Sequence, residues 1–173
     1  MTIRAGELPL ALRLLAAPAG LLPLGSVLTH GLRALAQRRP DVFDRLGEFR
    51  KTRFVIAPTD LVLSFIVIPD GRSAVVTVGS WMTDGDVVVR APILHLLGLL
   101  DGSLDGDALF FDRCLEVSGR TDALLALRNA VEAAELRPSD LLGLGGPLAG
   151  PLDRNLRALV AALQARFETS ARV

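Results

Sequence analysis

Two histidines, one cysteine and nineteen aspartates and glutamates are the groups in this 173-residue chain that could carry acid–base, metal or nucleophilic chemistry. Their spacing does not assemble a site. A metal centre needs His, Cys or carboxylate ligands at short fixed intervals. His30 and His95 are far apart, and Cys114 has no second cysteine to form a CxxC pair. Gly102-Ser103-Leu104-Asp105-Gly106 lacks the GxSxG order of a nucleophile elbow. Gly143-Leu144-Gly145-Gly146-Pro147 runs into proline where a phosphate-cradling loop needs a helix start. Asp84 with Asp86, and Asp101 with Asp105 and Asp107, could pair as acids, but turn formation accounts for them. The reading assigns no catalytic residue, no metal ligand and no cofactor, and favours binding over catalysis.

What the chain has in quantity is apolar surface. Half of its residues are hydrophobic against 22% charged, and the formal net charge is zero. Zero charge argues against a general nucleic-acid binder, which needs a basic excess to displace counterions. The surplus of Leu, Val and Ala points to apolar surface beyond a closed core, either a cavity or a membrane-facing patch. A single cysteine excludes an internal disulfide and fits a reducing cytoplasm. Residues 8–28 are apolar enough to raise the question of a signal peptide. Glu7 offsets Arg4, however, Pro9, Pro18 and Pro23 break any continuous helix, and Arg13 interrupts a membrane span.

The elements that would have to position a site read as follows. Residues 8–17 and 24–38 are expected as helices, with Pro40 ending the second and one more turn over 41–46. Their Leu-rich faces would either cover the core or touch a membrane. Strands are expected at 51–57, 61–68, 74–78, 86–91 and 113–119. Asp70-Gly71 and Thr83-Asp84-Gly85-Asp86 mark turns between them. Leu61 to Ile68 carries only Ser64 as a polar member, so it is expected at the centre, buried on both faces. Pro92 opens a helix to residue 101, and a loop covers 101–107. Thr121 caps a helix carrying Leu124, Leu127, Val131 and Ala134 on one stripe. Residues 137–151 read as a Gly/Pro linker, and 152–167 as an amphipathic helix that packs on the core, covers a cavity or docks a partner. The expected organisation is an N-terminal helical segment (1–46), a central domain (47–136), the linker and a C-terminal helix (152–173).

Alternation places Val87, Val89 and Ala91 on one sheet face with Leu115 and Val117, with Arg90 and Glu116 outside. Phe65 belongs to a buried face, and Phe110, Phe111, Leu97, Leu124 and Leu127 would form the opposite wall. These residues either line an apolar cavity or close a dry core. Ser64, Thr77, Ser80 and Trp81 are the polar candidates for a ring head group.

The string DALFFDRCLEVSGRTD followed by ALRNAVEAAEL resembles the C-terminal half of the sterol carrier protein 2 family of lipid-binding domains. It is most similar to bacterial members that act as accessory factors in oxygen-independent ubiquinone biosynthesis. The resemblance spans most of residues 14–136. It implies an α+β fold, with a five-stranded, twisted, mixed β-sheet and helices on one face enclosing an apolar cavity. It also implies a non-catalytic protein that is cytoplasmic and peripheral to the inner membrane. The implied partners are isoprenoid quinone intermediates and the hydroxylase subunits of that pathway. A general carrier of sterols, fatty acids or phospholipids, and a structural interaction domain, are the alternatives.

Overall fold

A computed structural model describes residues 22–100, 102–134 and 138–141, with 143, 150, 151, 153, 154, 158 and 161 beyond them. Helix α1 spans Leu22–Arg38 and α2 spans Pro40–Asp44, followed by a 3-10 turn at Gly47–Lys51. Strands β1 (Phe54–Pro58), β2 (Leu63–Ile68), β3 (Val75–Ser80) and β4 (Val87–Ala91) come next. Helix α3 (Ile93–Leu100), helix α4 (Gly106–Phe111), strand β5 (Glu116–Gly119), helix α5 (Thr121–Ala134) and helix α6 (Pro138–Leu141) complete the described chain.

The five strands form one mixed sheet in the order β3-β2-β1-β4-β5. β1 pairs in parallel with β4, and the other three ladders are antiparallel. The centre of the sheet is therefore β1, not β2. The expected all-buried strand at 61–68 sits second from an edge, starts at Leu63 and leaves Val62 exposed. Beyond Leu63 and Ser64 its residues are only half-buried, whereas β1 is the more deeply buried strand.

Register sorts the side chains into two faces. Phe54, Ile56, Phe65, Val67, Val87, Val89 and Val117 share one face, because opposed residues in a ladder point the same way. Helices cover this face: Phe54, Val87 and Val89 pack with Ala123 of α5. The small Ala123, Ala130 and Ala134 are the buried positions of α5, which lets its backbone come close. A second cluster joins α1, α2 and α5 through Leu35, Phe43, Leu46 and Ala130, and Leu127 packs against both.

The opposite face carries Val55, Ala57, Val88 and Ser64. β3 is parallel to β4 but three positions away, so the chain must cross the sheet between them. Residues 81–86 make that crossing over Val55, and a Cβ on Gly85 would stand 2.6 Å from Val55 Cγ2. Asp86 then fastens the crossing: the Arg53 amide donates to its carboxylate at 2.8 Å, and its own amide donates to the Arg53 carbonyl at 3.0 Å.

The open edge at β3 is covered by α1. Thr29 Oγ1 donates to the Val76 carbonyl at 3.0 Å and accepts from the Val76 amide at 2.8 Å. One turn on, Arg33 Nε donates to the Ala74 carbonyl at 2.8 Å. Side chains four apart on the helix thereby stand in for a sixth strand.

Three local expectations change. The strand expected at 113–119 pairs only from Glu116, because Arg113 is left-handed (φ +56°) and cannot join the ladder. Phe110 and Phe111 belong to a helix, whose start is capped by the Asp105 side chain accepting from the Asp107 amide at 2.8 Å. Within the expected linker, Pro138–Leu141 is helical, and the Ser139 amide and hydroxyl donate to Asp153 at 2.9 Å each. The helices expected over 8–17 and 152–167 lie outside the described residues, apart from 153, 154, 158 and 161 of the second.

Gly119 ends β5 with φ +98°, and a Cβ there would fall on the Asp86 carbonyl oxygen. That carbonyl already accepts from the Arg120 amide at 2.9 Å. Gly119→Ala is expected to destabilise the fold by about 1–3 kcal/mol, the range for a strained backbone residue, read as a lowered thermal midpoint.

Candidate functional site

On the helix-facing side of the sheet, burial is deepest along β1 and β4 and incomplete through the middle row. Leu63, Pro58 and Ala91 form one buried row, and Phe54 and Val87 belong to another. Between them lies the row Val78–Phe65–Ile56–Val89–Val117, in which only Val89 is buried. A close-packed core buries its central residues most deeply. Here Ile56, at the centre of the central strand, keeps part of its surface free, whereas Phe54 beside it on the same face is 1% exposed. This partial access makes the middle of the sheet a candidate hollow. Val67 of the same face is half-buried too, and the facing residues are Leu96 of α3 with Leu124 and Leu127 of α5.

A second, outer concavity adjoins it. An open groove of about 610 Å3 runs along the free edge of β5. Phe110, Phe111, Leu115 and Val117 form its apolar side, and Arg90, Arg113, Glu116 and Ser118 its polar side. Leu115 borders both the groove and the inner cluster. Phe110 and Phe111 meet edge to face, with ring centroids 6.3 Å apart. They are 56% and 82% exposed, an unusual placement for two phenylalanines. Arg128 of α5 holds their helix in place by donating to Asp107 at 2.8 Å and to Glu132 at 2.7 Å. That bonding lowers the Asp107 pKa below the usual carboxylate value and raises that of Arg128.

The sequence-derived residues therefore fall into two groups. Val87, Val89, Leu115, Leu124 and Leu127 come together around the inner cluster, with Phe65 and Val117 on the same sheet face by register. Phe110 and Phe111 line the outer groove and do not join the α5 side of the hollow. Leu97 is half-buried on α3, where its neighbour Leu96 is the residue that packs against the cluster. None of the four polar candidates faces the hollow as a free group. Ser64 lies on the opposite sheet face and donates to the Ser80 carbonyl at 2.7 Å, Thr77 is exposed on that same face, and Ser80 and Trp81 are exposed.

His95, set aside in the sequence as a metal ligand, has one ring nitrogen in an unusual environment. His95 Nδ1 is buried with no hydrogen-bond partner among the described residues. Asp60, which caps α3 by accepting from the Ile93 amide at 2.9 Å, lies close enough to act on it. Burial depresses the His95 pKa, and the Asp60 charge opposes that shift.

Among the described residues there is no group of three or more His, Cys, Asp or Glu side chains placed to hold a metal ion. No described helix is long and apolar enough to cross a membrane.

The sequence pattern of the SCP-2 sterol transfer family matches residues 32–132. No curated protein matches the chain. Among solved structures, one described as "UbiJ-SCP2 Ubiquinone synthesis protein" is 23% identical, with a TM-score of 0.52 over 76% of this chain and 99% of its own. A sterol carrier protein 2 crystal structure is 14% identical with a TM-score of 0.49, covering 64% and 95% of the two chains. A possible sterol carrier protein from Thermus thermophilus is 15% identical with a TM-score of 0.47, covering 70% and 89%. At these identities the first likeness speaks to the fold, and the other two carry no argument.

The packing and His95 each lead to an expected outcome. Ile56→Phe adds volume at the centre of the sheet. It is expected to cost less than about 1 kcal/mol in chemical denaturation, where a filled core would lose roughly 1–3 kcal/mol to overpacking. For His95, the folded state resists the imidazolium. As pH falls through the ordinary value near 6.5, the unfolded chain takes a proton that the folded chain refuses, and stability drops. The thermal midpoint should fall between about pH 7.5 and 5.5, and His95→Gln should flatten that slope.

Proposed function

We propose that this chain, which belongs to the SCP-2 sterol transfer family, is a non-catalytic lipid-binding accessory protein that holds isoprenoid quinone intermediates. The observation that carries the reading is the partly accessible middle row on the helix-facing side of the sheet, Ile56, Phe65 and Val78. An unfilled apolar hollow forfeits packing energy, which a bound chain would restore. The proposed site residues are Phe65, Val87, Val89, Leu124 and Leu127 around the hollow, Leu97 on the adjacent helix α3, and Phe110, Phe111, Leu115 and Val117 along the neighbouring groove. Ubiquinone synthesis is the role named for the solved structure of TM-score 0.52, and it supports a quinone-type lipid here. Hydroxylases that modify the quinone ring are the partners this role calls for, and the protein works in the cytoplasm beside the inner membrane.

Energetics set the mode of action. Each methylene taken from water into the hollow gains about 0.8 kcal/mol. A long isoprenoid tail would then exceed the practical affinity ceiling of roughly 20 kcal/mol. The exchange that matters runs from membrane to hollow, apolar to apolar, so its free energy is small. Uptake and release are then both possible, which is what presenting a lipid to an enzyme demands.

Native mass spectrometry with organic extraction of the protein from its own host tests this. A prenylated ring compound is expected to co-purify, and Ile56→Phe is expected to reduce its yield several-fold. Fatty acid or phospholipid alone would favour a general lipid carrier. An empty protein that takes up no lipid from liposomes would overturn lipid binding altogether.

A further inference from the structure

The two edges of the sheet end differently. At β3 the outward amide and carbonyl of Val76 bond Thr29, and Arg33 takes the Ala74 carbonyl. At β5 no described residue plays that part. The Arg120 amide donates to the Asp86 carbonyl, and these two residues stand opposite each other when the β4–β5 register is continued by one. Opposed residues in an antiparallel ladder alternate between hydrogen-bonded and non-hydrogen-bonded pairs. Ser118 with Val88 and Glu116 with Arg90 are therefore the bonded pairs. Val117 and Gly119 fall between them, so their amides and carbonyls point out of the sheet. Among the described residues neither backbone makes a hydrogen bond on that side. The Leu115 amide is already taken by the Leu109 carbonyl, so the open run extends from the Leu115 carbonyl to Gly119. A row of outward groups on an edge strand is a template for one more strand.

The side chains beside this edge say what sequence would lie there. Register puts Val117 on the helix-facing side of the sheet, and Glu116 and Ser118 on the other side with Arg90. The groove along the edge has an apolar wall that includes Phe110 and Leu115, and a polar wall with the guanidinium groups of Arg90 and Arg113 against the carboxylate of Glu116. Neither arginine is in an ion pair among the described residues. Side chains of an added strand would alternate between the same two walls. Apolar residues suit the first wall and acidic residues the second. A lipid has no regular row of amides and carbonyls to offer Val117 and Gly119. A second copy of β5 would bring further arginines to the same wall, like charge against like.

We infer that the free edge of β5 is a docking site for a protein partner, which adds to the sheet an extended segment of alternating apolar and acidic residues. The inference concerns the edge backbone and holds whatever the hollow contains. Main-chain hydrogen bonds to Val117 and Gly119 would supply part of the affinity, and the two walls would select the sequence.

A short capped peptide of alternating valine and glutamate, titrated into the full chain by calorimetry, tests it. The peptide should bind, and its valine–lysine counterpart should bind about tenfold more weakly. Successive amides of a strand point in opposite directions, so methylating the valine nitrogens blocks one edge of the peptide and methylating the glutamate nitrogens blocks the other. One of the two should abolish binding and the other should leave it unchanged. Val117→Pro removes an outward donor and no ladder bond, a change that edge strands accept. It should leave the thermal midpoint nearly unchanged and weaken the peptide about tenfold. Should the proline variant not fold, the methylated peptides decide without it. Equal loss from both methylations, equal binding of the lysine peptide, or no peptide binding would overturn the inference. Self-association of the chain in sedimentation, abolished by Val117→Pro, would overturn it in favour of a second copy. Displacement of the bound peptide by oleate would overturn it in favour of lipid.

Discussion

The parallel pairing of β1 with β4 is the constraint on which the rest of this fold depends. It sets Phe54, Ile56 and Pro58 level with Val87, Val89 and Ala91, and so builds the apolar centre of the sheet. Parallel strands cannot be joined by a tight turn, so the chain leaving β3 has to travel back across a face before entering β4. Residues 81–86 do this over Val55, which closes one face and leaves the other for the helices. The joint is made at Asp86, where β1, β4 and the end of β5 meet through the Arg53 backbone and the Arg120 amide. Gly119 is required at that joint because no side chain fits beside the Asp86 carbonyl.

The helices then meet the sheet where it is closed and stand away where it is hollow. Ala123 of α5 packs on Phe54, Val87 and Val89, and small side chains at the contact bring the helix close there. Ile56, Phe65 and Val78 keep part of their surface accessible. Leu127 belongs to this site and to the helical cluster of α1 and α2 as well, so the hollow shares its wall with the part of the molecule that braces it. The surface ion pairs are peripheral by comparison. Arg120 with Asp122 and Arg39 with Asp41 are exposed, and pairs of this kind contribute little in water. Arg128 differs in what it connects: it ties α4, which carries the two exposed phenylalanines, to helix α5.

Much of the ladder was legible before any coordinates. Strict alternation put Val89 with Val117 and Arg90 with Glu116 on opposite faces, and the register agrees residue by residue. Alternation works because a strand side chain has only two directions to choose from. The same reasoning failed at Phe110 and Phe111. Two adjacent phenylalanines cannot both point inward from a helix, and the Asp105 cap that makes them helical lies in a run that reads equally well as a turn. Ser64 likewise reads as a polar group available to a ligand. Only the pairing of β2 with β3 brings the Ser80 carbonyl to it.

Composition and periodicity marked out the strands and helices of this chain and its surplus of apolar residues. Those properties are local, written in residue type and in intervals of two and three to four positions. The tertiary structure decided that β1 is the central strand, that the middle row of its helix-facing side stays open, and that Arg113 reaches the β5 groove from a left-handed turn. These depend on which strands pair and on how far apart the helices sit. Such distances arise from contacts between residues remote in sequence, for which a one-dimensional pattern holds no record.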